Sequence, residues 1–156
     1  MKIGLVRAKV VNTPTSDELW AELQHAAEGI KQQYELLAIN SRPAVAATRK
    51  LYRHLGKDPN RYRVASEALC RRVIRGLGLY RLTTLVDLIN LVSMVSGYAI
   101  SGLDADRLVG DTLHLGVGAE GEPYEGIGRG QLNIQGIPVY RDAVGGVATP
   151  TSDEER

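Results

Sequence analysis

The segment Thr83–Ser96 constrains the fold more than any other. It carries Leu85, Val86, Leu88, Ile89, Leu91, Val92, Met94 and Val95, which as a helix cover most of the circumference. A helix apolar nearly all round is expected to be buried among other elements. Yet Thr83, Asp87, Asn90 and Ser93 fall within about a third of a turn of one another, given roughly 100° per residue. A neutral polar group in a core costs about 2–7 kcal/mol unless it is hydrogen-bonded, and a carboxylate costs more. The stripe therefore either faces a polar cavity or bonds to nearby backbone.

Three other helical patterns precede this one. Ser16 or Thr15 can cap a helix that runs to about residue 35, with Asp17 and Glu18 at its positive end. Leu19, Trp20, Leu23, Ala26, Ala27, Ile30 and Tyr34 form its inner side. Pro43 suits the first turn of a second helix, with Ala44, Thr48, Leu51, Tyr52 and Leu55 inward, and Gly56 stops it. Arg42, Ala46, Arg49, Lys50 and Arg53 take the other side. A third helix begins near Ser66, with Ala65, Ala68, Leu69, Val73 and Gly76 inward and Glu67 placed to pair with Arg71 four residues on. Residues 2–11 alternate as a strand should.

After Gly97 the pattern changes. Short strand-like segments at Tyr98–Ser101, Thr112–Val117, Gln131–Ile134 and Pro138–Tyr140 are separated by turn residues, and most of the 17 glycines follow residue 75. Helices first and short strands later predict an α+β fold, with the first strand free to join the later sheet. A length of 156 residues is that of one domain, expected over 1–150, with the acidic end at 151–156 frayed.

Charge is segregated. Between Arg42 and Arg81 lie eleven Lys/Arg and two acids, Asp58 and Glu67, a local charge of +9 in a chain of net charge +1. Such a region attracts polyanions if its bases share a face, and is a pair of solvated basic helices otherwise. Arg42, Arg49, Lys50, Arg53, Arg61, Arg63, Arg71, Arg72 and Arg75 are the candidates for phosphate contacts, with Tyr52, Tyr62 and Tyr80 near them for stacking.

Familiar chemistries are missing. Gly126-Ile127-Gly128-Arg129-Gly130 lies in the strand region and opens no helix, so it is not a nucleotide loop. One cysteine and three scattered histidines, His25, His54 and His114, give no metal-ligand spacing, and neither metal nor cofactor is expected. Cys70 reads as a small buried hydrophobe and cannot form an internal disulfide, which suggests a reducing compartment such as the cytoplasm. No apolar run reaches the ~20 residues of a membrane span.

The order of segments is more telling than any one of them. Ser66-Glu67-Ala68-Leu69-Cys70-Arg71-Arg72 is followed by Gly78-Leu79-Tyr80-Arg81-Leu82, then by Leu85-Val86-Asp87-Leu88-Ile89-Asn90. Gly97-Tyr98-Ala99-Ile100-Ser101-Gly102-Leu103-Asp104 and Glu120-Gly121-Glu122 come next. Over residues 40–142 this succession resembles the B3/B4 tRNA-editing module of the phenylalanyl-tRNA synthetase β-subunit, and more so the separate bacterial proteins made of that module alone. The resemblance implies a three-layer α+β fold including a β-sandwich, and a pocket in which mischarged tyrosine is hydrolysed from tRNA by a positioned water. Asp87, Asn90 and Asp104 match the family's motif positions, and Glu67, Asp87, Asn90, Ser101 and Asp104 are the expected pocket residues. Where the synthetase usually has a histidine before Asp104, this chain has Ser101, and Ile89 stands where a threonine usually precedes the asparagine. Three functions follow as expectations: a free-standing deacylase of mischarged tRNA, a non-enzymatic RNA-binding module, or a pocket for an aromatic amino acid derivative without RNA.

Overall fold

The computed structural model describes residues 3–155. Four helices, α1 (Asp17–Gln33), α2 (Pro43–His54), α3 (Ala65–Ile74) and α4 (Thr84–Ser96), come first, with a 3₁₀ turn over Ala38–Ser41 between α1 and α2. Five short strands follow: β1 (His114–Val117), β2 (Glu125–Gly126), β3 (Gly130–Gln131), β4 (Pro138–Arg141) and β5 (Gly146–Ala148). They pair antiparallel in two small sheets, β1-β4-β5 and β2-β3. The class is α+β, as the order of patterns predicts.

Each half has its own core. Leu23, Ala27 and Ile30 of α1 meet Ile39, Cys70, Val73 and Met94, with Trp20 and Tyr34 packed at the margin. Tyr124, Ile134 and Val139 form the smaller second cluster. The halves are joined where Ala65 N donates to Pro150 O at 2.8 Å and Tyr52 Oη meets Thr151 Oγ1 at 2.9 Å.

The fourth helix inverts its own sequence pattern. Asp87 and Ser93 are buried, whereas Val86, Leu88, Val92 and Val95 are exposed. Asp87 Oδ2 accepts from Thr15 Oγ1 at 2.5 Å and from Leu82 N at 3.0 Å, and Ser93 Oγ donates to Tyr98 O at 2.6 Å. The polar stripe is thus turned inward by its bonds to the segments at either end of the helix. Gly97 closes α4 in the left-handed conformation, at φ +80°, which glycine adopts without steric cost.

Residues 3–11 form no strand and stay exposed. Their continuation serves α4 instead: Thr13 O accepts from Thr84 N at 2.8 Å and Asn12 Oδ1 from Leu85 N at 3.1 Å, satisfying free amides of its first turn. The segments 98–101 and 132–134 are also not strands, and β5 lies where the sequence suggests only a run into the tail. That tail is not frayed over its described residues. Asp153 bridges to Ala148 and Glu154 to Gly126, and Ser152 O accepts from Tyr124 Oη at 2.7 Å. Backbone pairing of 152–155 across both sheets outweighs the fraying that its charge suggests.

Candidate functional site

The basic segment is the natural starting point, and its members divide by burial. Arg49, expected on the outer side of α2, is turned inward with Val45 and Tyr52, because α2 is rotated by about one position from its predicted stripe. Its Nη1 donates to Glu67 Oε1 and Oε2 at 3.1 and 2.9 Å and to Pro59 O at 3.2 Å, while Nη2 reaches Asn60 Oδ1 at 2.7 Å. Glu67, on the inner side of a similarly rotated α3, therefore pairs with Arg49 and, at 3.7 Å, with Arg63. The expected Glu67–Arg71 pair is replaced, and Arg71 Nη1 donates to Leu36 O at 3.0 Å.

Arg42 is buried as well. Its guanidinium donates to Met94 O at 2.7 Å, Val95 O at 2.8 Å and Cys70 Sγ at 3.1 Å, and lies 5.3 Å from the Tyr34 ring centre. It closes the carbonyl end of α4, the end where a cation is favoured. Burial pushes the Cys70 thiol up, with Arg42's charge opposing, so Cys70 stays a core residue. Arg42 and Arg49 are thus removed from the phosphate-contact set, whereas Lys50, Arg53, Arg61 and Arg75 remain exposed and Arg63, Arg71 and Arg72 half-buried.

The turn that Arg49 fastens forms one wall of a hollow of about 160 Å³. Asp58 shapes the turn, its Oδ1 accepting from Asn60 N at 2.9 Å and its carbonyl from Arg61 N and Tyr62 N. Arg61 and Tyr62 line the hollow on this side, and Lys57 Nζ sits 4.2 Å from the Tyr62 ring centre. Burial, then the charge of Arg61, holds the Lys57 ammonium below the usual lysine range.

The opposite wall comes from the strand half. Arg129, in the turn between β2 and β3, and Asn133 supply polar groups, and Leu132, Ile134 and Ile137 supply apolar ones. Thr149 and Thr151 complete the lining. Their hydroxyls are already engaged: Thr149 Oγ1 donates to Ser152 O at 2.8 Å, and Thr151 meets Tyr52 Oη, whose pKa burial pushes up to about 12. Gly118 holds this wall close. Its amide donates to Ile137 O at 2.8 Å, and a Cβ there would run into the Ile134 carbonyl. Among the described residues no carboxylate, imidazole or thiol lines the hollow, so its side chains are suited to binding and orienting.

The five pocket candidates are not brought together. Glu67 lies in the Arg49 pair and Asp87 in the bonds to Thr15 and Leu82. Asn90 is half-buried on α4. Asp104 is exposed in a turn, its Oδ1 accepting from Asp106 N at 3.0 Å. Ser101 bonds the carboxyl of Asp153, whose pKa burial raises, with Ser101 and the Gly102 amide opposing. None of the five lines the hollow. The residues that the sequence left unnoticed are Arg129, Asn133, Thr149 and Thr151. Only Arg129 carried a signal, lying in a glycine-rich stretch that forms a tight hairpin, with Gly128 and Gly130 at positive φ.

Among the described residues no group of three or more His, Cys, Asp or Glu side chains could hold a metal, and no helix is long and apolar enough to cross a membrane. Helices leading into two small antiparallel sheets, with a turn–hairpin hollow between the halves, define an α+β domain with a cationic-rimmed cavity. The B3/4 domain model matches residues 47–152, and the chain belongs to that family. The match upholds the resemblance to the B3/B4 module of the synthetase β-subunit and extends it past residue 142 to residue 152, where the docked tail begins. No curated protein and no solved structure matches the chain.

Proposed function

We propose that this B3/4-family chain binds the aminoacylated 3′ end of a tRNA, with the aminoacyl group in the hollow between the 57–62 turn and the β2–β3 hairpin. The observation that carries the reading is the chemistry of that hollow. Leu132, Ile134 and Ile137 give an apolar wall, while Arg61 and Arg129 are exposed guanidiniums able to fork onto phosphate oxygens. A volume of about 160 Å³ suits one amino-acid side chain, since a cavity of about 150 Å³ accepts benzene. Tyr62, flanked by Lys57 and Arg61, offers a ring on which an unpaired terminal base can stack. Lys50 and Arg53, exposed on α2, extend the positive field that would steer a polyanion.

Ester hydrolysis would depend on a water oriented by amide and hydroxyl groups, because the described lining supplies no carboxylate, imidazole or thiol. That favours binding over catalysis as the core of the activity. A titration of tRNA against the wild type and an R61E/R129E variant tests the reading, and equal affinities would remove it. A parallel deacylation screen over several mischarged tRNAs decides catalysis: persistence of every ester leaves a binding module. Saturable binding of free aromatic amino acids with no affinity for tRNA would instead support the pocket without RNA.

A further inference from the structure

A second hollow of about 130 Å³ lies on the outer side of α3 and is lined by Arg63, Arg71, Arg72 and Arg75, with Ala68 and Leu77 between them. It differs from an ordinary patch of surface arginines in how its guanidiniums are held. Arg72 donates through Nε to Gly78 O at 2.8 Å and through Nη2 to Leu77 O at 3.2 Å, with Tyr80 beneath it, 4.3 Å from the guanidinium to the ring centre. Arg71 is fixed to Leu36 O, and Arg63 is drawn in by Glu67. Arg75 makes no side-chain bond among the described residues and is exposed.

A guanidinium has five N–H donors, so each anchored arginine keeps donors free after these bonds. Arg71 and Arg72 are already ordered by their carbonyl bonds, and Arg63 in part by its ion pair, which lowers the entropic cost of binding a ligand. Among the described residues no carboxylate lines the hollow. Glu67, the acid behind it, is buried and committed to Arg49. The cations therefore crowd one another: burial lowers the Arg71 pKa, the charges of Arg63, Arg75 and Arg49 lower it further, and Glu67 opposes. The carbonyl end of α3 works against an anion here, but the backbone amides of Arg75, Gly76 and Leu77 already occupy the carbonyls of Arg71, Val73 and Arg72 at that end.

We propose that this hollow is a phosphate seat, built by three arginines anchored to carbonyl or carboxylate groups and one free arginine, and separate from the hollow at Arg61 and Arg129. The chemistry it recognises is a phosphoryl group with several free oxygens, taken either from a phosphodiester backbone or from a free phosphate. The inference does not rest on the amino-acid hollow being occupied.

The probe is inorganic phosphate, titrated against the full chain by calorimetry and thermal shift, with sodium chloride at equal ionic strength as the reference. Phosphate is expected to raise the unfolding midpoint above chloride. The R63Q/R75Q variant should weaken phosphate by roughly a hundredfold or more, the loss expected for two charge-assisted hydrogen bonds. Arg75→Gln alone touches no internal bond, and should weaken phosphate with an unchanged circular dichroism spectrum. The R61Q/R129Q variant should bind phosphate as the wild type does, which separates this seat from the proposed function. A short single-stranded RNA added in competition then identifies the source: displacement of phosphate marks a phosphodiester, and retention marks a free phosphate ligand. The proposal is overturned by a midpoint shift that chloride reproduces, or by undiminished phosphate binding in Arg75→Gln and R63Q/R75Q.

Discussion

Arg49 and Glu67 face each other in the interior, with Nη1 at 3.1 and 2.9 Å from the two carboxylate oxygens and side chains 8% and 1% exposed. The pair sets the position of the 58–62 turn, because the same guanidinium bonds Pro59 O and Asn60 Oδ1. The turn in turn presents Arg61 and Tyr62 to the hollow. Fold and site meet in these two residues.

Removing one member should cost more than the pair contributes. Glu67→Ala leaves a buried guanidinium without its counter-charge, and a loss of about 3–5 kcal/mol is expected. The R49M/E67L double variant should recover much of that loss, since apolar replacements of similar volume are often neutral. Urea unfolding of the three proteins measures this. Additive losses in the double variant would contradict the account.

Asp87 makes a different kind of contribution. Its Oδ2 joins Thr15 to Leu82 N across the start of α4. Asp87→Ala would leave the buried Thr15 hydroxyl and a backbone donor unpaired, at about 1–3 kcal/mol for each group left unsatisfied. Binding of tRNA should be unchanged at temperatures where the variant remains folded. A loss of affinity out of proportion to the loss of stability would return Asp87 to the site.

How much of this was legible in sequence depends on what each residue answers to. Ser16, Pro43 and Gly97 announce helix ends by local chemistry, and the helices begin or stop beside them. The inner faces of α2, α3 and α4 were harder. Arg49, Glu67 and Asp87 are inside because each finds a partner that lies far off in the sequence, which hydropathy cannot register. The strand pattern of residues 3–11 was misleading for the complementary reason: an alternating segment becomes a strand only where a ladder partner exists. The family match spans every segment of the ordered set that suggested it, from Ser66 to Glu122. The hollow was half visible, since Arg61 stood in the basic run, whereas Thr149 and Thr151 reach it only through the pairing of β5 and the tail.

Stability should respond to acid through two carboxylates of opposite sign. Arg141 donates to Glu122 through Nε and Nη2, both at 2.6 Å, and these bonds hold the Glu122 carboxyl below its ordinary range of about 4.5. A depressed folded pKa gives stability that is present above the unfolded value and lost as pH falls through the folded one. Asp153 is raised by burial, so its ionised form opposes folding and protonation relieves it as pH falls through its folded pKa. Glu122→Gln should therefore flatten the loss of stability below about pH 4.5, and Asp153→Asn should raise stability at neutral pH. Denaturant midpoints from pH 3 to 8 read both; a steeper acid loss in Glu122→Gln would reverse the assignment.

The proposed binding mode makes a claim about salt. If Arg61 and Arg129 each neutralise one phosphate of a single strand, their removal should reduce the slope of log affinity against log salt by about 1.4, at roughly 0.7 per contact. Arg42→Gln removes a charge from the same stretch of sequence but from the interior, where it closes α4. It should destabilise the fold and leave the salt slope alone. A slope that falls equally in both variants would mean that diffuse charge, and not the hollow, governs binding.

The exposed apolar side of α4 offers the sharpest contrast between pattern and packing. Val92 and Met94 are close neighbours in sequence, yet Val92 is 45% exposed and Met94 is 0% exposed within the core of α1 and α3. Hydropathy treats them alike, whereas burial predicts opposite outcomes. Val92→Lys, together with Leu88→Lys on the same exposed side, should change stability by no more than about 0.5 kcal/mol, as surface substitutions usually do. Met94→Ala should cost about 2–5 kcal/mol, since it opens a cavity against Leu23, Ile39 and Cys70 that the helices can only partly close. Chemical denaturation of the two variants at one protein concentration compares them directly. A large loss in the V92K/L88K variant would show that this side is covered in the folded molecule, and the orientation of α4 would have to be redrawn.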